Sequence, residues 1–176
     1  LITFDDVTEN QLKAIEILKK HQLKATLFIP FKYIGKSDLW NNGTEPIMAI
    51  ETIKLLDNSV VELGLHSYEH NKYSDLSKEQ IIEDFEKCFS IIKKENLQVI
   101  NVLAYPYGNF PKEKSKFKEF TEVLNQFEIK YALRIGNRLN TNPFKNNFLL
   151  KRIDIKGEDS LLKFKLKLIF GKLRPF

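Results

Sequence analysis

Apolar positions along the chain follow two alternating rhythms. Short runs dense in β-branched and aromatic residues predict strands at Leu1–Phe4, Ala25–Ile29, Val60–Leu65, Val99–Ala104, Lys130–Ile135 and Phe148–Ile155. Between them the apolar spacing lengthens to three and four residues. Leu12, Ile15 and Leu18 share one face of a helix that opens at Thr8, with Gln11 completing a capping box, and ends near His21. Pro46 suits the first turn of a second helix ending near Asp57. Ser77 and Gln80 form another capping box ahead of a long stripe of Ile81, Ile82, Phe85, Cys88, Phe89 and Ile92. Phe117, Phe120, Val123, Leu124 and Phe127 mark a fourth helix, and Ser160–Phe170 reads as a fifth.

Strands alternating with crossover helices predict an α/β fold with a parallel sheet, either open and doubly wound or curled into an incomplete barrel. The chain has 176 residues, without internal repeat or linker, and reads as a single domain over residues 1–176. Leu1 opens directly in a strand, so the original N-terminus is read as missing.

Composition removes several function classes. With 43% hydrophobic and 29% charged residues the chain is neither disordered nor membrane-embedded. No apolar run approaches the ~20 residues of a spanning helix, so no transmembrane segment is expected in this chain. A lone Cys88 excludes a disulfide framework and a cysteine zinc cage. The net charge of +5 comes entirely from Lys163, Lys165, Lys167, Lys172 and Arg174, which leaves 23 bases and 23 acids before Ser160. A body that is neutral outside one tail argues against a nucleic-acid partner.

That tail has two readings. Leu161, Leu162, Leu166, Ile169, Phe170 and Leu173 share a broad face opposite Lys163, Lys167 and Arg174, a pattern suited to weak contact with an anionic membrane surface. A helix closing the barrel with a solvated lysine face is preferred, because Lys165 and Lys172 interrupt the apolar arc.

In parallel α/β folds, sites gather at the carboxyl ends of strands. Here those ends read Thr3-Phe4-Asp5-Asp6, His66-Ser67-Tyr68-Glu69-His70 and Ala104-Tyr105-Pro106-Tyr107-Gly108. Adjacent carboxylates raise one another's pKa, and a divalent cation relieves that repulsion. One helical turn would bring His66 and His70 to the same face, and two imidazoles with one carboxylate leave a metal open coordination positions. Ordinary solvent-facing histidines and a simple Asp-Asp turn would explain each segment separately, but not their coincidence at the ends of two strands.

Three other metal readings compete. The spelling His-x-x-Glu-His matches inverzincin proteases, whose motif belongs on a long helix rather than after a strand. Non-haem iron oxygenases also use two histidines and a carboxylate, on β-rich folds. A structural zinc site needs a fourth protein ligand.

Taken together these segments, with Ala25-Thr26-Leu27-Phe28, resemble the polysaccharide deacetylases of the NodB-homology, carbohydrate esterase type over nearly the whole chain. The resemblance implies a distorted, incomplete (β/α) barrel and hydrolysis of N-acetyl groups on a GlcNAc-containing glycan, in the bacterial envelope or outside the cell. It implies Asp5 as general base. Asp6, His66 and His70 would be ligands of one divalent transition ion, zinc or else cobalt, nickel or manganese. The Tyr107 backbone N–H would hold the oxyanion.

Three positions depart from the family pattern. Val7 stands for its usual Gly, Ala104 for the Arg that orients the catalytic Asp, and no histidine follows His70 to act as the late general acid. A second functional reading follows, a degenerate member that binds a glycan without hydrolysing it. Without an Arg at 104, less positive charge is expected to hold the Asp5 pKa down, and Asp5 would serve as base and then acid. Period-two alternation puts Arg152 and Asp154 on one face of the last strand, so Arg152 either enters the barrel to pair with Asp5 or pairs with Asp154 at the edge. Trp40 and Tyr33 either stack on a sugar ring or pack as a lid.

Overall fold

A computed structural model describes residues 1–171. Its main elements are β1 (Ile2–Asp5), α1 (Gln11–Lys20), β2 (Ala25–Ile29), α2 (Ile50–Lys54), β3 (Val61–Leu65), α3 (Lys78–Glu95), β4 (Val99–Ala104), α4 (Lys114–Gln126), β5 (Tyr131–Ile135), β6 (Leu150–Arg152) and α5 (Leu161–Phe170). All adjacent strand pairs are parallel, and the sheet order follows the sequence from β1 to β6. The sheet curls into an incomplete (β/α) barrel with β1 and β6 as its unpaired edges.

Alternation along the strands divides two cores. Leu27, Leu63, Leu65, Leu103 and Ala132 pack outward with Ile15, Leu18, Phe85, Phe120 and Val123 of the helices. Phe28, Ala104, Leu133 and Leu150 fill the barrel interior with Val102. Gly64 on β3 is required by that filling, since a Cβ there would stand 2.6 Å from the Phe28 ring. Between α3 and the sheet, Tyr73 stacks on Phe85 at 6.0 Å and tilts against Phe120 at 5.1 Å. Among the described residues, no helix is long and apolar enough to cross a membrane.

Several local expectations give way. The Ser77–Gln80 capping box forms as read. The Thr8–Gln11 box does not, because Gln11 instead donates to the Asp5 carbonyl and α1 starts after Asn10. Pro46 and Ile47 form short antiparallel bridges to Ser37 and Thr8, so α2 begins only at Ile50. The last strand shortens to Leu150–Arg152, with Asp154 beyond its end.

Helix α5 buries none of its residues, and Leu161, Leu162, Ile169 and Phe170 are exposed, so it does not close the barrel with an apolar face. It is tied down instead by polar contacts, Lys167 to Asp159 and to the Asp154 carbonyl. Lys172, Leu173 and Arg174 lie outside the described residues.

Candidate active site

The three strand ends singled out by the sequence meet at one mouth of the barrel. Asp5 closes β1, and Asp6 follows with φ +73°, in the left-handed region. That turn reverses the side-chain direction expected of the next strand residue, so neighbouring carboxylates both reach the mouth. Val7 continues left-handed at φ +52°, an uncommon conformation for a β-branched residue, while its side chain is fully buried in the outer core.

His66 and His70 converge without the helical turn expected from their spacing. The segment is an irregular loop in which Ser67 (φ +66°) and His70 (φ +57°) are left-handed. It is held by polar contacts. The Ser67 hydroxyl accepts the His70 N–H at 2.8 Å, and the carbonyls of Ser67 and Tyr68 accept from Phe31 and Lys32.

Asp6 Oδ1 lies 3.5 Å from His66 Nε2 and 3.4 Å from His70 Nε2. One ligand atom from each of the three residues falls within 4.8 Å of the others. Tetrahedral zinc with bonds near 2.0–2.1 Å sets ligand atoms about 3.4 Å apart, so the set fits a divalent transition ion. The chemistry of the atoms agrees. His66 Nδ1–H donates to the Ala104 carbonyl at 2.7 Å, which leaves Nε2 as the lone pair. Asp6 Oδ1 is buried with no hydrogen-bond partner among the described residues.

Asp5 is held differently. Arg152 Nη1 and Nη2 donate to its two oxygens at 2.6 and 2.7 Å, and Nη1 also reaches the Thr3 hydroxyl at 3.3 Å. This fork crosses the open gap between β6 and β1. The guanidinium lies 5.7 Å from the ring centroid of Phe28, which shares the barrel-interior cluster with fully buried Ala104. Burial pushes the Asp5 carboxyl up, but His66 and Arg152 outweigh it and hold the pKa below its ordinary 3.8. Burial lowers the His66 pKa from its ordinary 6.5, whereas the Arg152 guanidinium beside Asp5 carries its charge at any working pH. The expectation that the missing Arg at 104 leaves Asp5 short of positive charge is thereby corrected, because β6 supplies that charge.

The rim is aromatic. Trp40 stacks on the His70 ring at 3.9 Å and 18°, with Tyr33 edge-on to Trp40 at 4.9 Å. Tyr107, left-handed at φ +57° and half-exposed, sets its ring 4.7 Å from His70, and Lys72 Nζ stands 5.5 Å over it. One face of Trp40 is thus taken by a histidine.

Sequence reading passed over Asp84. This α3 carboxylate, 6% exposed, accepts from the Tyr68 N–H at 2.9 Å, the Glu69 N–H at 3.4 Å and the Tyr73 hydroxyl at 3.1 Å. Burial raises its pKa to about 6 against those bonds. A signal was present, since Asp84 interrupts the helix face that carries Ile81, Phe85 and Cys88.

An incomplete parallel barrel with an Asp pair and a His-x-x-x-His loop at its strand ends has the plan of a carbohydrate esterase. The family model "Polysaccharide deacetylase" matches residues 1–132, and the chain belongs to that family. A poly-β-1,6-N-acetyl-D-glucosamine N-deacetylase of Staphylococcus aureus is 26% identical over 166 residues, covering 89% of this chain and 54% of the relative. The chain spans about half the length of the curated relatives it matches. Among solved structures, the Streptococcus pyogenes deacetylase PplD in complex with acetate aligns with TM-score 0.73 at 18% identity, over 94% of this chain and 68% of that one. A CE4 family pseudoenzyme from Bacillus anthracis aligns with TM-score 0.53 at 25% identity, over 74% of this chain and 41% of that one.

Proposed function

We propose that the chain is a metal-dependent N-deacetylase acting on a GlcNAc-containing glycan, and that Asp5 is its general base. The observation that carries this reading is the convergence of Asp6, His66 and His70 on one point beside an Arg-held Asp5. The name of the Staphylococcus aureus relative supports the substrate class.

Asp6, His66 and His70 would hold one divalent transition ion, for which zinc fits the two-nitrogen, one-oxygen set. A cation so held supplies Lewis acidity toward a carbonyl oxygen and toward water. The protein's own groups do the rest. Asp5 stays ionised because Arg152 grips both oxygens, while each oxygen keeps a further lone pair for a proton. It accepts a proton from the attacking water as the oxygen–carbon bond forms. The carbon–nitrogen bond then breaks, and acetate and a free amine are the products.

In this reading Asp5, held by Arg152 beside the three ligands, returns that proton to the departing nitrogen. A carboxyl with a depressed pKa is a weak base and a strong acid, which makes the return easy and the abstraction slow. The Tyr107 backbone N–H, on its left-handed turn beside His70, is the oxyanion donor in this reading.

Acetate release from N-acetylglucosamine oligomers with added zinc or cobalt tests the activity. Asp5→Asn keeps the shape and the three ligands, so metal content is expected to survive while the rate falls by about 100-fold or more. Persistent activity in that variant would place the base elsewhere. A glycan-binding member without turnover is the second reading, favoured by the likeness to a pseudoenzyme. Oligosaccharide binding with no acetate under any metal would select it.

A further inference from the structure

We propose that Asp84 is a positioning residue for the metal site: from α3 it holds the loop that carries His66 and His70 in its binding shape. The inference rests on the metal-site reading above.

Asp84 touches neither histidine. Its Oδ1 takes the N–H groups of Tyr68 and Glu69, which lie between the two ligands, and its Oδ2 takes the buried Tyr73 hydroxyl just beyond them. The loop needs such a hold because its backbone is strained. Ser67 and His70 both sit at positive φ, each at a cost of order 1 kcal/mol or more. Two N–H groups turned toward a helix would lose still more without an acceptor, about 1–3 kcal/mol each.

One carboxylate meets all three donors, and its place is fixed by a helix whose start is locked by the Ser77–Gln80 capping box. His70 depends on this hold more than His66 does. His66 is anchored by its Nδ1–H to Ala104, whereas His70 Nδ1 is buried without a hydrogen-bond partner among the described residues. The His70 ring is therefore placed by the Trp40 stack and by its backbone, whose N–H goes to Ser67 Oγ and whose two preceding residues, Tyr68 and Glu69, are held by Asp84. Released from Asp84, the loop relaxes toward ordinary φ values and carries His70 Nε2 away from Asp6.

The test is zinc affinity of the purified protein, read by competition with a chromophoric chelator. Asp84→Ala, with all three ligands intact, is expected to bind zinc about 10–100-fold more weakly, the range usual for groups that orient ligands. Asp84→Asn keeps an oxygen for both N–H groups and is expected to stay within a few-fold of wild type. The visible absorption of the cobalt(II) form should weaken and shift in Asp84→Ala and not in Asp84→Asn, a change that loss of stability alone does not produce.

Wild-type zinc affinity in a cooperatively folding Asp84→Ala protein overturns the proposal while leaving the metal site standing. A wild-type protein that takes up no zinc overturns the metal-site reading, and the proposal with it. Amide hydrogen exchange in the zinc-free wild type asks the same question without a variant. Slow exchange at Tyr68 and Glu69 supports the hold, and exchange as fast as an open loop refutes it.

Discussion

Replacing Arg152 by Met isolates what the fork across the barrel gap contributes. Met keeps much of the side-chain length while removing both donors to Asp5. Charge-assisted hydrogen bonds contribute about 1.5–3 kcal/mol. Breaking a wholly buried ion pair costs about 3–5 kcal/mol, an upper bound here because the Asp5 side chain is 29% exposed. A loss of about 2–3 kcal/mol corresponds to a drop in Tm of roughly 4–12 °C for a chain of this size.

The loss should depend on pH in one direction. In the wild type, Asp5 lies below its ordinary 3.8, so its contribution is present above that value and disappears only as the pH falls through the lower folded pKa. In the variant the burial penalty is no longer opposed by the hydrogen bonds and charge of Arg152, and the folded carboxyl rises. The variant is then penalised at neutral pH and relieved as acid protonates Asp5. Thermal melts of both proteins from about pH 7.5 to about pH 4.5 should show a gap that narrows on acidification. A gap of constant size would mean that Arg152 acts through shape rather than charge, and no gap would refute the pairing argument altogether.

His66→Ala should lose most of its bound metal, since ligand number sets affinity; stoichiometric metal in that variant by elemental analysis would show that the ligands are misassigned. Ala104→Arg places a second guanidinium where Phe28, Leu133 and Arg152 already fill the interior, and overpacking of about 1–3 kcal/mol should lower the urea midpoint. An unchanged midpoint would mean that the interior has room for both arginines. Asp84, raised from 3.8 to about 6 by burial, binds its proton more tightly folded than unfolded, so stability should fall by about 3 kcal/mol as pH rises from 3.8 to about 6 and level off above. Urea unfolding of Asp84→Asn should lack that slope.

Much of this molecule was determined by local sequence. Strand runs and three- and four-residue helical spacing need no knowledge of the fold to be read, because burial on one face acts within a single element. The Asp pair, the two histidines and the Tyr-Pro-Tyr-Gly turn were legible for a related reason: in a parallel barrel the carboxyl ends of strands share one mouth, so chain position already implies proximity. What the sequence left open depended on distant parts meeting. Whether Arg152 would face Asp5 or Asp154 was decided by curvature, which brings the edge strands β1 and β6 close enough for a bond across 147 residues. The His66–His70 loop looked like a helical turn because spacing carries no record of backbone sign. Its backbone and rings are met by partners from elsewhere in the fold, Asp84 on α3, Phe31 and Lys32 after β2 and the Ala104 carbonyl on β4, which spacing does not record. Helix α5 shows the same limit in reverse, since an apolar pattern predicts burial but only the tertiary structure provides a surface to bury it against, and among the described residues none covers it.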